Sequence, residues 1–172
     1  MLSFKKKIYK PDNLYNSVLK LSRNKLLYIN LNLTDTFYTR IYLIFFHMSF
    51  LLIKIKGTSK FSEAISQKIF DYTFNQIDQN MREIGYGDMT VNKKMKSLIR
   101  SFYNILVKCE NYQNMNLKDK NDFLSLYFLD KTSKNQAKVS LVSDYFDKFR
   151  LFSTNLSLNL IERGHINFSY FK

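Results

Sequence analysis

The sequence predicts an all-α fold, a single-domain helical bundle built around a central antiparallel helical hairpin. Three observations carry this. One proline and four glycines in 172 residues leave too little turn punctuation for many short strands. Apolar residues recur at steps of three and four along most of the chain. A hydrophobic share of 45% in a chain of this length is enough for one domain with a real core.

The hairpin is expected over 62–103. Phe70, Phe74, Ile77, Met81 and Ile84 line one side of its first helix, while Asp71, Asn75, Asp78 and Arg82 share the other. Gly85 falls just past the last periodic residue and suits a left-handed C-terminal cap. Asp88 or Thr90 is expected to accept backbone N–H bonds and start the second helix. There Met95, Leu98, Ile99, Phe102, Ile105, Leu106 and Cys109 rebuild an apolar stripe, so Gly85 and Gly87 define a structural corner. The lone Cys109 lies on that stripe, which excludes an internal disulfide and points to a buried thiol in a reducing compartment.

This same stretch resembles the ubiquinol–cytochrome c chaperone family, assembly factors for respiratory complex III. The residues that carry the resemblance are Asp78, the Arg82-Glu83 pair, Gly85, Gly87-Asp88, Val91, a lysine at 93 or 94, and Phe102-Tyr103, in that order. It is good over 28–112 and loose over the C-terminal third. Asp35-Thr36, Arg40 and His47 match the family's helix that opens this region, and Lys54 through Gly57 end it. Family members often carry Gly-Arg after the aromatic pair, where this chain has Asn104-Ile105, so a role for that arginine does not transfer. The resemblance implies a non-enzymatic chaperone engaging newly synthesised cytochrome b, without cofactor. Related mitochondrial members work with a second small assembly factor and near the ribosomal exit.

The net charge of +13 suits an anionic partner, either ribosomal RNA or an anionic inner-membrane surface; an AT-rich coding sequence is the alternative source of so many lysines. Residues 1–11 read as a basic arm, with Lys5, Lys6, Lys7 and Lys10 uncompensated and Pro11 closing it, ahead of a helical domain over 12–172. The arm lacks the apolar run of a signal peptide. The expected location is cytoplasmic and peripheral to the inner membrane in a bacterium, or the mitochondrial matrix in a eukaryote. Asp12 or Asn13 is expected to cap an adjunct helix with Leu14, Val18 and Leu21 on one side, ending near Asn24.

Residues 34–57 are the most hydrophobic, with Thr34 or Asp35 as cap. A membrane span needs about 20 apolar residues, and this run is interrupted by His47 and Ser49 and preceded by Arg40, so a central core helix is expected. Further on, 111–120 reads as a polar linker, and Asn121 or Asp122 as the cap of a helix with Phe123, Leu124, Tyr127 and Phe128. A break is expected over 131–138, then a helix with Val139, Val142, Tyr145, Phe146 and Phe149 buried, and a final piece ending at Gly164.

No catalytic residue and no metal site is expected: the two histidines have no paired cysteines and no helical His-Glu motif. Gly85-Tyr86-Gly87 looks like part of a nucleotide loop but lacks a third glycine at Thr90 and follows a helix rather than a strand. The partner-binding set is Arg40, His47, Asp78, Arg82, Glu83, Asp88, Lys93, Lys94 and Lys96. Within it, His47 reads as a packing residue rather than a catalytic one. Arg82 and Glu83 either lock the corner through Asp88 or present charge to a partner. Lys93, Lys94 and Lys96 are expected in the opening turns of a helix, where the dipole disfavours cations, and so read as a basic patch. The rival functions are a basic helical RNA- or ribosome-binding protein and a membrane-surface structural protein held by its aromatic helix.

Overall fold

The computed structural model describes residues 10–56, 62–129 and 136–171. Lys5, Lys6, Lys7 and Gly57 lie outside them. The described residues form eight α-helices and no strand: α1 Pro11–Ser22, α2 Lys25–Asn30, α3 Phe37–Lys56, α4 Ser62–Glu83, α5 Asp88–Glu110, α6 Leu117–Phe128, α7 Gln136–Asn155 and α8 Leu158–Glu162.

The centre of the bundle is α3, as expected of a central core helix over 34–57, and the hairpin packs on it rather than forming the middle itself. Twelve of its twenty residues are buried, including every residue from 43 to 52, and a helix apolar on all sides must be surrounded. α1, α4, α5, α6, α7 and α8 all pack on it. Its aromatic side chains set those contacts. Phe45 meets Phe74 of α4 and Phe102 of α5; Phe46 meets Phe123 and Phe128 of α6 and Phe146 of α7; Phe50 meets Tyr112 and Phe149. Burying each phenyl ring contributes about 2–3 kcal/mol, and offset or edge-on pairs add roughly 0.5–1.5 kcal/mol. Among the described helices α3 alone is long and apolar enough to cross a membrane, but two-thirds of that stretch is covered by the bundle.

α4 and α5 fold back on one another, with Phe70 against Phe102 and Tyr103 well away from the corner. Phe74, Ile77 and Met81 are buried as the spacing predicts, together with Ile69. Ile84 is not: it lies beyond the helix end and is 57% exposed. On α5, Leu98, Phe102, Ile105 and Cys109 are buried, and Met95, Ile99 and Leu106 pack half-buried beside them. Burial pushes the Cys109 thiol well above its ordinary range.

Several caps differ from the sequence reading. Pro11 opens α1 at its first turn, where its missing N–H costs nothing, so neither Asp12 nor Asn13 caps it. α1 ends at Ser22, near Asn24 as expected, and the Asn24 carboxamide accepts from Leu26 N at 3.0 Å and starts α2. Thr36, not Thr34 or Asp35, caps α3 by accepting from Thr39 N at 3.1 Å. The expected linker over 111–120 holds a 3-10 turn, Tyr112–Asn114, whose Tyr112 is fully buried. Asn116 then caps α6 by accepting from Asp119 N, five residues before the expected start at Asn121 or Asp122.

Of the break expected over 131–138, residues 131–135 lie outside the described residues, and 136–138 are already helix. All five predicted apolar positions of α7 are buried. α8 ends at Gly164, which has φ +70°, with His165 N donating to Leu160 O at 2.8 Å. A Cβ at Gly164 would sit 2.3 Å from the carbonyl oxygen of Asn13, and Ser17 donates to the Gly164 carbonyl. α1 packs on α3, α4 and α8, so it is an integral wall rather than an adjunct.

Candidate functional site

The corner between α4 and α5 is held by backbone and by one arginine. Gly85 has φ +95°, its N–H donates to Arg82 O, and Tyr86 N donates to Met81 O at 3.1 Å; this pairing satisfies the last carbonyls of α4 and requires a residue at ease in the left-handed region. α5 starts at Asp88 with Gly87 at the cap position, so neither Asp88 nor Thr90 caps it. Asp88 turns back to Arg82 instead. The guanidinium donates to Asp78 at 2.5 Å and to Asp88, and those two bonds raise its pKa further. Arg82 therefore ties the end of α4 to the first turn of α5 across Gly85 and Gly87.

Beside this corner an open groove of about 570 Å³ lies between α5 and the start of α3. Tyr38 and Tyr42 of α3 form one wall; Met89, Lys93, Lys94 and Ser97 of α5 form the other. Lys94 is the fixed member. Its ammonium donates to the Tyr38 hydroxyl at 2.6 Å and sits 5.2 Å from the centre of the Tyr38 ring and 5.0 Å from that of Tyr86. The bond to Tyr38 raises the Lys94 pKa, so the charge is retained. Tyr42 is braced edge-on by Tyr127 of α6, ring centres 5.0 Å apart. Met89 stands 88% exposed at the mouth. An aromatic floor, a flexible thioether and a cationic lip can grip an apolar segment with a polar or anionic edge.

Lys93, Lys94 and Lys96 do not lie in the first turn of their helix. α5 begins at Asp88, which places them in its second and third turns, beyond the reach of the dipole that was expected to disfavour them. Lys93 and Lys96 are exposed. Arg40 is elsewhere, donating to both carboxylate oxygens of Asp35 at 2.6 and 2.8 Å; with Glu83 and Ile84 it lines a separate hollow of about 150 Å³ against α1.

His47 reaches no surface, so its place in a partner-facing set is corrected. It is fully buried, edge-on to Phe149, with Nδ1 donating to the Leu43 carbonyl at 2.6 Å. That leaves Nε2 to accept from the Tyr145 hydroxyl at 2.7 Å. Burial pushes its pKa down to about 4, so it is a neutral cross-brace between α3 and α7. The sequence reading missed Tyr38, Tyr42, Tyr86 and Met89. Tyr38 and Tyr42 are four apart near the start of a helix rich in aliphatic and phenyl side chains, and Met89 stands two residues past the capping Gly87; those were the available signals.

A family model for the ubiquinol–cytochrome c chaperone matches residues 30–118, just over half of the chain. The chain belongs to the ubiquinol–cytochrome c chaperone family. The matched stretch contains α3, the corner, α5 and thus both walls of the groove. Membership in this family supports a role in assembling complex III. The crystal structure of the Cbp3 homolog from Brucella abortus is similar in fold, with a TM-score of 0.77, covering 94% of this chain and 88% of that one at 23% identity. The family's fold therefore continues through α6, α7 and α8, beyond the residues that its sequence model matches. No curated protein matches the chain.

Proposed function

We propose that this chain is a non-enzymatic assembly chaperone for ubiquinol–cytochrome c reductase, respiratory complex III, and that it engages newly synthesised cytochrome b in the groove between α3 and α5. The observation that carries this reading is that the residues matched by the chaperone family are the ones that build the groove and its corner. A volume of about 570 Å³ holds several side chains but not a whole membrane span, which takes about 20 residues. The groove would thus grip a short apolar stretch, with Tyr38 and Tyr42 covering it and Lys94 meeting its polar edge. The corner residues Asp78, Arg82 and Asp88 hold the second wall in place.

The working location is the cytoplasmic side of a bacterial inner membrane, or the matrix side in a mitochondrion, close to the ribosome making the client and in company with a second small assembly factor. A second reading, RNA or ribosome binding, is favoured by one observation: α5 carries five cations between Met89 and Cys109 and no acid.

Salt separates the two. Recovery of cytochrome b with the tagged chaperone should survive moderate salt and nuclease treatment, whereas binding through RNA phosphates weakens by orders of magnitude over the same salt range. A strain lacking the chain should have lowered complex III content. Unaffected complex III in that strain overturns the assignment.

A further inference from the structure

The outer edge of α5 joins cations and apolar side chains in one exposed stripe. At about 100° per residue, Met89, Lys93, Lys96, Arg100, Tyr103 and Val107 fall within an arc of about 80°, opposite the buried Val91, Leu98, Phe102, Ile105 and Cys109. All six are exposed, Tyr103 by 49% and Val107 by 63%. Five cations elsewhere are held by acids: Arg40 by Asp35, Lys56 by Glu110, Arg82 by Asp78, Lys120 by Asp147, Lys148 by Asp144. Among the described residues no acid lies within ion-pair distance of Lys93, Lys96 or Arg100.

We propose that this edge is a lipid-facing surface that seats the protein on a bilayer containing anionic phospholipids. It rests on the membrane-side placement proposed above and names the residues that achieve it. The stripe is straight and about 27 Å long from Met89 to Val107 at 1.5 Å per residue, a shape that meets a plane along its whole length. Its cations sit in the middle and its apolar side chains at both ends. Lys93, Lys96 and Arg100 lie at the depth of the headgroups while Met89, Tyr103 and Val107 enter the acyl boundary. RNA would draw on the cations alone and leave Val107 in water. The groove opens on the flank of the same helix, beside Lys93 and Ser97, so a client segment emerging from the bilayer meets its mouth.

The chain contains no tryptophan, so a single introduced indole reports its own position. Val107→Trp, mixed with vesicles of phosphatidylglycerol and phosphatidylcholine, should shift its emission to the blue and become shielded from an aqueous quencher. Leu151→Trp on α7, also exposed, should do neither. Lys96→Gln with Arg100→Gln should weaken co-sedimentation with these vesicles by about 30-fold, at roughly fivefold per cation, without changing the thermal melt.

Co-sedimentation of the parent with pure phosphatidylcholine to the same extent, an unshifted Trp at 107, or equal shifts at 107 and 151 each overturn the proposal. So does loss of RNA binding in the Lys96, Arg100 variant of a parent that ignores vesicles, which would make the edge an RNA face. Cytochrome b recovery from detergent-solubilised cells reads the groove independently of the lipid surface, so a failed vesicle assay leaves the chaperone reading standing and a failed recovery does not touch the lipid one.

Discussion

Protonating His47 should unfold the bundle by a predictable amount. In the unfolded chain the imidazole has its ordinary pKa of 6.5, and in the fold burial between α3 and α7 pushes it down to about 4. A group whose pKa is depressed on folding contributes stability that is fully present above the unfolded value and lost as pH falls toward the folded one. At about 1.4 kcal/mol per pH unit, the fold should lose about 2 kcal/mol between pH 6.5 and 5, and about 3 kcal/mol by pH 4. That is a large share of the roughly 5–15 kcal/mol that holds an ordinary domain together. Asp35, held low by Arg40, and Asp144, held low by Tyr170 and Lys148, change protonation below this window. Urea unfolding followed by circular dichroism from pH 8 to 5 measures the slope. His47→Gln should start lower, having lost one of its two buried bonds, yet be nearly flat over that range. A parent as stable at pH 5 as at pH 7, or a Gln variant with the parent's slope, would refute the buried neutral histidine.

The two left-handed glycines should differ in cost. Gly85→Ala meets no neighbouring atom and carries only the strain of its positive φ, about 1 kcal/mol; Gly85→Val should be worse because β-branching stiffens the residue further. Gly164→Ala adds a clash with the Asn13 backbone and should lower the thermal midpoint at least twice as far as Gly85→Ala. Arg82→Ala should leave the midpoint of a chemical melt nearly unchanged, because its side chain is half exposed and that of Asp88 largely so, while hydrogen exchange at residues 86–90 should speed up as the corner loosens.

The apolar stripes were legible because helical periodicity is a local property. Phe74, Ile77 and Met81, or Val142, Tyr145 and Phe149, announce their faces without reference to anything distant, and Gly85 and Gly164 announce chain reversals that only a residue at ease with positive φ makes cheaply. The sequence marked 34–57 as a central core helix by its composition while also putting the hairpin at the middle, and only packing shows that the other helices surround α3. The strongest amphipathic pattern belongs to helices that lie at the surface, whereas α3, apolar on nearly all sides, has little pattern to read and is central for that reason.

Caps failed for a related cause: several Asp, Asn and Thr residues stand near each helix start, and tertiary partners decide among them. Asp35 and Asp88 were expected caps, but both are taken by arginines. The candidate site was half legible. Lys93, Lys94 and the corner residues were marked by composition, but the bond from Lys94 to Tyr38 joins residues 56 apart in sequence, and no spacing rule reaches that far. His47 was marked as a packing residue by its neighbours and as a partner residue by resemblance, and its burial between α3 and α7 supports the first.

The central claim is that the α3–α5 groove holds cytochrome b while complex III is being built. A photo-cross-linking residue placed at Ser97, on the groove wall and free of the Arg82 and Lys94 contacts, addresses it directly in cells making the client, with Leu151 on α7 as the control position. The account predicts a covalent adduct with cytochrome b from position 97, formed during its synthesis and absent from position 151. Adducts from position 151 but not from 97, or none from either in cells with normal complex III, would contradict it.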